Sequence, residues 1–411
     1  MKQAWALALA FVAIATAGCL SDDGDDPNAN PDNGMPDETG YTPLENIVGM
    51  EYIATAESTA ADGIWLHNDI AYLSGPPGLR IVDISNPAEP VLLNAEIADT
   101  GSRDVDIMEH PNGRLYAVLS AGGVAIVDVT DPSLAVLISE ASVSSHNMAV
   151  VPNSTIVYNS RSISTHVPGV GETGQIDIVD FADPANPTVT VFAMPAVITT
   201  PGGIPKAVTA TTCHDITFNA ELERAYCAGV TDTQIWDISD PANPEIIQVI
   251  DYPLVNIHHG VWDARGGDLL ILGDEFAGAA AGPMCSTTVD YPTSALWFFD
   301  ISDIENPVPV DYFQVEWDSV LDGNEGSPDL DLCTTHFGTL VEGHEMMVMG
   351  WYAAGSVLLD FSGVDNTPLI GGVNQVAHYY PGDSNTWEAR EYKGHIYTGD
   401  TIRGMDVLKL V

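Results

Sequence analysis

The chain has 411 residues, of which 58 are acidic and 12 are basic, so its formal net charge is -46. A surface this negative repels phosphate backbones and anionic lipid headgroups, which argues against nucleic acid as a partner and against direct binding to an acidic membrane. Hydrophobic residues make up 45% of the sequence, enough for the core of a globular domain.

The N-terminus has the layout of a secretory signal. Lys2 precedes an uncharged apolar run from Ala4 to Ala17 that is too short to span a bilayer. The ending Ala17-Gly18-Cys19 resembles a lipoprotein signal, although Thr16 stands where that family usually has Leu. Residues 1–19 are therefore predicted to be a signal peptide, with Cys19 as the lipidation site and its lipid as the only membrane attachment. The predicted location is the cell envelope or cell surface, and an ordinary signal peptide cut nearby is the alternative.

Residues 20–43 are predicted to be an acidic, disordered tether. Its sequence, SDDGDDPNANPDNGMPDETG and little else, holds too few apolar residues to offset the entropy of ordering. The aspartates could hold Ca2+, but they lack the spacing of an EF-hand, so a solvated spacer is the preferred interpretation. The folded domain is predicted to occupy residues 44–411.

A short phrase then returns seven times, as a hydrophobic run, an Asp and a turn rich in Ser, Asp and Pro. The copies are LRIVDISNPAEP from Leu79, VAIVDVTDPSLA from Val124, IDIVDFADPANP from Ile176, TQIWDISDPANP from Thr233, LWFFDISDIENP from Leu296, SVLLDFSGVDNTP from Ser356 and GMDVLKLV from Gly404. A unit of this size cannot bury its apolar face alone and needs neighbours on both sides. The Asp of each copy, Asp83 through Asp406, is interpreted as a cap that ends a strand and accepts the N–H groups of the turn.

The second copy shows the order of elements most clearly. RDVDIMEH, LYAVLS, GVAIVDV and LAVLISEA are four short strands, with a tight HPNG turn after the first. Four strands per unit with turn signals between them predict an all-β fold, a seven-bladed β-propeller of four-stranded blades. The seventh unit stops after its third strand. The segment IVGMEYIATAES from Ile47 is therefore predicted to pair beside Met405 to Leu410 and close the ring.

These residues resemble the LVIVD-repeat propeller proteins, named for the phrase seen here as RIVDIS, AIVDVT and DIVDFA. The resemblance covers nearly everything after the tether. It implies a propeller that is exported or anchored to a surface. The family has no single established chemistry, so the resemblance implies a fold and not an activity.

Inserted length is concentrated on one face. The long segments follow second or fourth strands and span residues 160–174, 195–212, 274–295, 314–334 and 372–385. Connections of these two kinds emerge on the same face of a propeller, so a binding site is expected on that face.

Four histidines fall at one position when the first strands of the units are aligned. SHNMAV, CHDITF, HHGVWD and THFGTL place His146, His214, His259 and His336 there, with His258 adjacent. The other three units have Ala61, Arg103 and Thr386 at that position. Because first strands line the central channel of a propeller, the four imidazoles are predicted to converge at the channel mouth.

Two interpretations of this histidine cluster stand. Imidazole is the commonest ligand of Zn and Cu, so the cluster is a hypothetical metal site, with Asp215, Asp274 or Glu275 as a carboxylate ligand or general base. A second resemblance, to copper-dependent methanethiol oxidase or selenium-binding propellers, rests only on a propeller with channel-mouth histidines. In the structural interpretation the histidines hydrogen-bond across neighbouring blades and position the first strands without a metal.

Four cysteines remain after Cys19. An even number in an exported chain favours disulfides over thiols, and three pairings are possible. Cys213 starts a first strand and Cys227 ends its partner strand, whereas Cys285 and Cys333 lie in consecutive long loops. The predicted pairs are therefore 213 with 227 and 285 with 333. Cysteine ligands on a metal are the alternative.

Two functional hypotheses follow. In the first, the protein is a monomeric, surface- or envelope-anchored propeller that binds a protein, a glycan or a small ligand on its insertion-bearing face, with no catalytic step of its own. In the second, it is a metal-dependent enzyme, oxidase-like or hydrolytic, that uses Cu or Zn at the histidine cluster. The chain has no GxSxG, Walker, HExxH or dinucleotide-binding motif that would indicate another enzyme class.

Overall fold

The computed structural model describes residues 43–57, 59–76, 78–97, 103–161, 165–167, 171–230, 232–252, 258–275, 292, 294–315, 333–365 and 371–411. In these ranges the regular secondary structure consists of β-strands, apart from two single-turn 3-10 helices at Pro132–Leu134 and Arg265–Gly267. None of the helices in the described ranges is long and apolar enough to cross a membrane. The predicted signal peptide, Cys19 and residues 20–42 of the tether lie outside the described residues.

The strands form sheets that follow chain order. β1 (Met50–Glu57) precedes sheet 1, which contains β2 (Ile64–His67), β3 (Ile70–Leu73), β4 (Leu79–Asp83) and β5 (Val91–Ile97). Sheet 2 contains β6 (Asp104–Glu109), β7 (Leu115–Ser120), β8 (Val124–Asp128) and β9 (Val136–Ala141). Sheet 3 begins with β10 (Asn147–Val150) and β11 (Ile156–Ser160) and, after a separate hairpin of β12 (Thr165–Val167) and β13 (Gly171–Thr173), ends with β14 (Gln175–Asp180) and β15 (Thr188–Ala193).

A second separate hairpin, of β16 (Val197–Thr199) and β17 (Pro205–Ala207), leads to sheet 4. Sheet 4 contains β18 (Cys213–Asn219), β19 (Arg224–Gly229), β20 (Thr233–Asp237) and β21 (Glu245–Ile250), and sheet 5 contains β22 (His258–Ala264), β23 (Leu269–Asp274), β24 (Leu296–Asp300) and β25 (Val308–Phe313). The remaining strands are β26 (Phe337–Leu340), β27 (Met346–Gly350), β28 (Ser356–Asp360), β29 (Asn374–Tyr379), β30 (Thr386–Tyr392), β31 (His395–Asp400) and β32 (Met405–Leu410). With β1 they form one sheet of order β1-β32-β31-β30-β26-β27-β28-β29.

This last sheet is two four-stranded groups joined by one short parallel pairing, in which Phe337 lies opposite Glu388 and Gly338 opposite Ala389. The two groups approach each other closely beside this pairing. A Cβ on Gly350 would lie 2.7 Å from the carbonyl oxygen of Trp387, so a larger residue there would push the groups apart.

The N-terminal strand completes the group that contains β30, β31 and β32. β1 pairs antiparallel with β32, from Met50 opposite Leu410 to Glu57 opposite Met405, which confirms the predicted pairing. One side-chain contact reinforces it, because the Thr55 hydroxyl donates to Asp406 at 2.5 Å. The Tyr52 ring stacks on Tyr379 of β29 and so joins β1 to the neighbouring group.

The first strands of the sheets contact one another in a cycle. β2 contacts β6, β6 contacts β10, and the contacts continue through β18, β22, β26 and β30 back to β2. The hydrophobic clusters follow the same pattern, because each takes its residues from two neighbouring sheets or groups. Twisted four-stranded sheets arranged around a common axis, with apolar layers between them, form a β-propeller.

The repeated Asp caps its turn in all but one copy. The carboxylates of Asp83, Asp128, Asp180, Asp237, Asp300 and Asp360 each end a strand and accept the backbone N–H two residues later. The prediction was wrong for Asp406, which is the second residue of β32 and accepts instead from Thr55, Tyr379 and Arg403. Because Asp406 begins its strand rather than ending it, it faces the pairing with β1 and has no turn to cap.

Candidate functional site

Six polar and aromatic side chains meet where the first strands begin. His146 and His336 directly precede β10 and β26, and His214 and Trp387 are the second residues of β18 and β30. Glu275 follows β23 and Tyr352 follows β27. We call these six residues the mouth cluster, because they lie at the end of the channel from which the long connections emerge.

The first half of the mouth cluster joins two histidines to a carboxylate. The rings of His146 and His214 meet edge to face with centroids 4.7 Å apart. His214 Nε2 lies 3.4 Å from a Glu275 carboxylate oxygen. His214 and Glu275 are only 9% and 6% exposed, so this pair lies in a medium of low effective dielectric and interacts strongly.

Tyr352 joins Glu275 to the second half of the cluster. Its hydroxyl donates to the other Glu275 oxygen, and its ring is 4% exposed. The backbone of Tyr352 has a φ of 45°, in the left-handed region that bulky residues rarely adopt. Two hydrogen bonds with Thr386, of 2.9 and 3.0 Å, hold it there. Surrounding structure that enforces such a conformation is a recurrent feature of functional sites.

His336 and Trp387 complete the cluster. The His336 ring meets Tyr352 edge to face at 5.2 Å and stacks on the Trp387 indole at 4.9 Å. Trp387 is only partly buried, so part of its side chain is exposed, although its indole nitrogen is buried. An accessible indole beside buried polar groups can pack against the apolar face of a bound ring while its neighbours form hydrogen bonds.

Burial shifts the pKa values in and around the cluster, and the neighbouring charges reinforce or oppose its effect. Burial lowers the pKa of His146, with the exposed Arg103 acting in the same direction and Glu275 opposing it, so the His146 imidazole is neutral at pH 7. Burial, reinforced by the Glu275 charge, raises the pKa of Tyr352, which keeps the phenol protonated. Burial also raises the pKa of Asp62 to about 6, against the opposing charge of Arg103.

A second charged layer lies below the mouth. Burial, with the charges of Glu388 and Asp215, raises the pKa of Asp104 well above its usual range. Arg390 donates to Glu388 at 3.0 Å, and its guanidinium lies over the rings of Trp65 and Phe337 at 4.4 and 4.8 Å. Contacts with two aromatic rings and a carboxylate hold this guanidinium in a fixed position.

The structure places the rings of His146 and His214 in contact. His336 is connected to His214 only through Tyr352 and Glu275. His258 and His259 lie in β22, but their side chains are outside the described part of the structure. The Asp215 carboxylate accepts from the N–H of Ile216 at 2.6 Å, and Asp274 accepts from the N–H of Ser294 at 2.9 Å, so both support the local backbone. Among the described side chains, no group of three His, Cys, Asp or Glu is spaced to hold a metal ion.

The disulfide predicted between Cys213 and Cys227 is present, with Cα atoms 5.3 Å apart. It fixes the start of β18 and therefore the backbone that carries His214. Cys333 is also disulfide-bonded, and its predicted partner Cys285 lies outside the described residues.

Sequence reasoning missed Tyr352 and Trp387. Trp387 directly follows Thr386, the residue that the alignment places at the histidine position. Extending the alignment by one residue would have identified Trp387. Tyr352 follows a second strand and gave no sequence signal, because its contact with Glu275 depends on a backbone conformation that only the folded chain enforces.

Comparison with known proteins supports the fold. Residues 59–95 match the family model described as the LVIVD repeat, so the chain carries at least one such repeat. No curated protein matches the chain. The β-propeller domain of Myceliophteria thermophila Cps50 (Swd1) is similar in structure, with a TM-score of 0.55 and 10% identity over 88% of this chain and 100% of that one. A functionally unknown protein from Desulfotomaculum acetoxidans DSM 771 has a TM-score of 0.49 and 14% identity, over 78% of this chain and 89% of that one.

Proposed function

We propose that this LVIVD-repeat β-propeller is an exported, seven-bladed protein that binds a small polar ligand at its channel mouth and has no catalytic step of its own. The blade count is supported by the cycle of first strands from β2 to β30 and back, and by the pairing of β1 with β32, which closes the ring. Closure of this kind leaves no long sheet edge between the first and last units.

Export and anchoring are supported by the N-terminal sequence and by the cysteines. The apolar run that ends at Cys19 is followed by an acidic tether, which would hold the propeller away from the envelope. Disulfides such as the one between Cys213 and Cys227 persist in oxidising compartments.

One observation carries the binding proposal. A chain of contacts runs from His146 through His214, Glu275 and Tyr352 to His336, and its members come from sheets 3, 4 and 5 and from the β26–β29 group. Burying so many polar groups costs free energy unless each is held by partners, and an apolar plug would close a channel more stably. A polar cluster whose members hold one another in place at the mouth of a channel therefore indicates recognition of a ligand.

The position of these groups favours a small ligand over a flat protein surface. The polar groups of His214, Glu275 and Tyr352 are recessed, whereas Trp387 and Arg103 are accessible at the rim. The cluster offers donors, acceptors and an aromatic face together, which suits a ring that carries several hydroxyl groups, such as a sugar. A protein partner or a long glycan would instead contact the surrounding insertions.

Saturation-transfer NMR against a panel of monosaccharides, disaccharides and amino acids tests the proposal. We expect at least one compound to bind the wild type and to lose binding in both Trp387→Ala and Tyr352→Phe. His344→Ala is the matched control, because His344 lies in the turn after β26 and contacts the carbonyl of Leu44 outside the mouth cluster. Binding that survives both mouth variants, or a panel without any hit, contradicts the proposal.

The metal-dependent alternative requires a separate measurement. His146 and His214 are adjacent, but among the described side chains they are not part of a group that could hold a metal, and the predicted ligand His259 is not described. Elemental analysis of protein purified without tags or chelators decides between the two. Stoichiometric Zn or Cu that is lost in His214→Ala would replace the binding proposal with the enzyme, whereas substoichiometric metal unchanged by that substitution would eliminate the enzyme.

A further inference from the structure

A cavity of about 540 Å³ lies apart from the mouth cluster, and no mouth-cluster residue lines it. It is bounded by β17, by the end of β21 in sheet 4 and by the turn before β25 in sheet 5. Its walls combine apolar and polar surface in similar shares. Val208, Val249, Ile250 and Pro307 are apolar, whereas Asp251 and the exposed Lys206 and Thr209 are polar. A cavity of this volume is in the range of small-molecule sites.

The hairpin of β16 and β17 forms one wall and is fastened in place. Lys206 Nζ donates to the side-chain oxygen of Gln248 at 2.6 Å and to the carbonyl of Val249 at 3.2 Å. The Gly202 N–H donates to the Glu305 carboxylate at 2.5 Å. Gln248 is fully buried, and its amide group donates to the carbonyl of Ile304 at 2.6 Å. The cavity is therefore preformed between three fixed elements.

In the described part of the chain, no carboxylate lies within salt-bridge distance of the Lys206 ammonium group. Both of its acceptors are neutral oxygens, whereas Arg161, Lys393 and Arg403 each contact a carboxylate within 3 Å. An ammonium group has three N–H donors, and the two bonds to Gln248 and Val249 use two of them. Asp251 also lines the cavity but forms no salt bridge with Lys206 in the described part of the chain.

We propose that this cavity binds an apolar monocarboxylate, such as a medium-chain fatty acid. The carboxylate would accept a charge-assisted hydrogen bond from Lys206, and the hydrocarbon chain would pack on Val208, Val249, Ile250 and Pro307. The Asp251 carboxylate would repel a second acidic group, so the site selects a monoanion over a dicarboxylate. This inference is independent of the ligand proposed for the mouth cluster.

Isothermal titration with sodium octanoate, with octan-1-ol as the uncharged analogue, tests the proposal. The titrations use about 0.15 M NaCl, where the screening length is about 8 Å and the net charge of the chain no longer dominates. We expect octanoate to bind at least about tenfold more tightly than octanol, because only the carboxylate accepts a charge-assisted hydrogen bond from Lys206. Equal binding of the two probes, or no binding of octanoate at millimolar concentration, overturns the proposal.

Two substitutions locate the site. Lys206→Gln should lower the affinity for octanoate about tenfold and leave the affinity for octanol unchanged. Lys409→Gln, which alters an exposed lysine on β32, should change neither affinity. Thr209→Trp should fill the cavity and abolish the binding of both probes. Its melting temperature, which reports the fold, should equal that of the wild type. If Lys206→Gln retains wild-type affinity for octanoate, or if folded Thr209→Trp still binds it, the ligand lies elsewhere and the proposal fails.

Discussion

Removal of the disulfide between Cys213 and Cys227 should lower the stability of the propeller by a calculable amount. Both cysteines are fully buried, and they are 14 residues apart in sequence. In the chain-entropy model, removing a cross-link that closes a loop of this size increases the conformational entropy of the unfolded state. The free energy of unfolding falls by about 3 kcal/mol as a result. A domain of this size has an unfolding entropy of roughly 0.8 kcal/mol/K, so the melting temperature should fall by about 4 °C.

Scanning calorimetry of the double variant Cys213→Ala/Cys227→Ala measures this fall. The matched control compares wild type and variant after both are unfolded and refolded with a reductant, which removes the cross-link from the wild type as well. Their melting temperatures should then agree, because only the lost sulfur atoms still distinguish them. If the double variant has the same melting temperature as the oxidised wild type, the loop-entropy reasoning is refuted. A difference that persists under reduction assigns the effect to packing of the buried sulfurs.

Three further predictions follow from the same contacts. Tyr352→Phe removes a donor from the buried Glu275 carboxylate and should cost about 1–3 kcal/mol in urea unfolding, and an unchanged midpoint would show that the hydrogen bond is not formed. The pKa of Asp62 is about 6 in the folded protein against 3.8 ordinarily, so protonation of Asp62 favours folding below about pH 4 and this stability is lost as the pH rises through 6. Asp62→Asn lacks this loss, so its unfolding free energy relative to wild type should increase between pH 4 and 6, and a pH-independent difference would contradict the shift. A chain that begins after Glu57 lacks β1 and leaves β32 unpaired, so it should self-associate in sedimentation velocity experiments, and a monomeric truncated chain would argue that the edge is protected by other means.

The architecture was largely predictable because its signals are local and repeated. Alternating apolar residues, an Asp and a Pro-rich turn define each unit, and six of the seven Asp residues end their strands as expected. The prediction failed at Asp406 because this Asp was assigned the role of the Asp in the other copies, whereas it stands in a strand that pairs with β1. The pairing of this strand with the N-terminal segment was predicted, but similarity to the other copies concealed that Asp406 begins its strand and has no turn to cap.

The candidate site was predictable only in part. Alignment of first strands placed His146, His214 and His336 at equivalent positions, because neighbouring strands of a closed ring bring equivalent residues to one end. Trp387 lies in β30, one residue beyond the aligned position, whereas Tyr352 lies in the connection between β27 and β28, and connections of that kind differ in length from unit to unit. No periodic pattern constrains such connections, so the contact between Tyr352 and Glu275 left no trace in the sequence.

The sequence by itself determined the strand order, the capped turns, the pairing of the N-terminal strand and the ring position of the histidines, because all of these follow from alternation and repetition along the chain. Only the tertiary structure decided which side chains touch at the channel mouth. It also decided that Lys206 would line a cavity between sheets 4 and 5 with neutral oxygens as its acceptors. Such contacts join residues far apart in sequence across neighbouring sheets, and their geometry exists only once the sheets have packed.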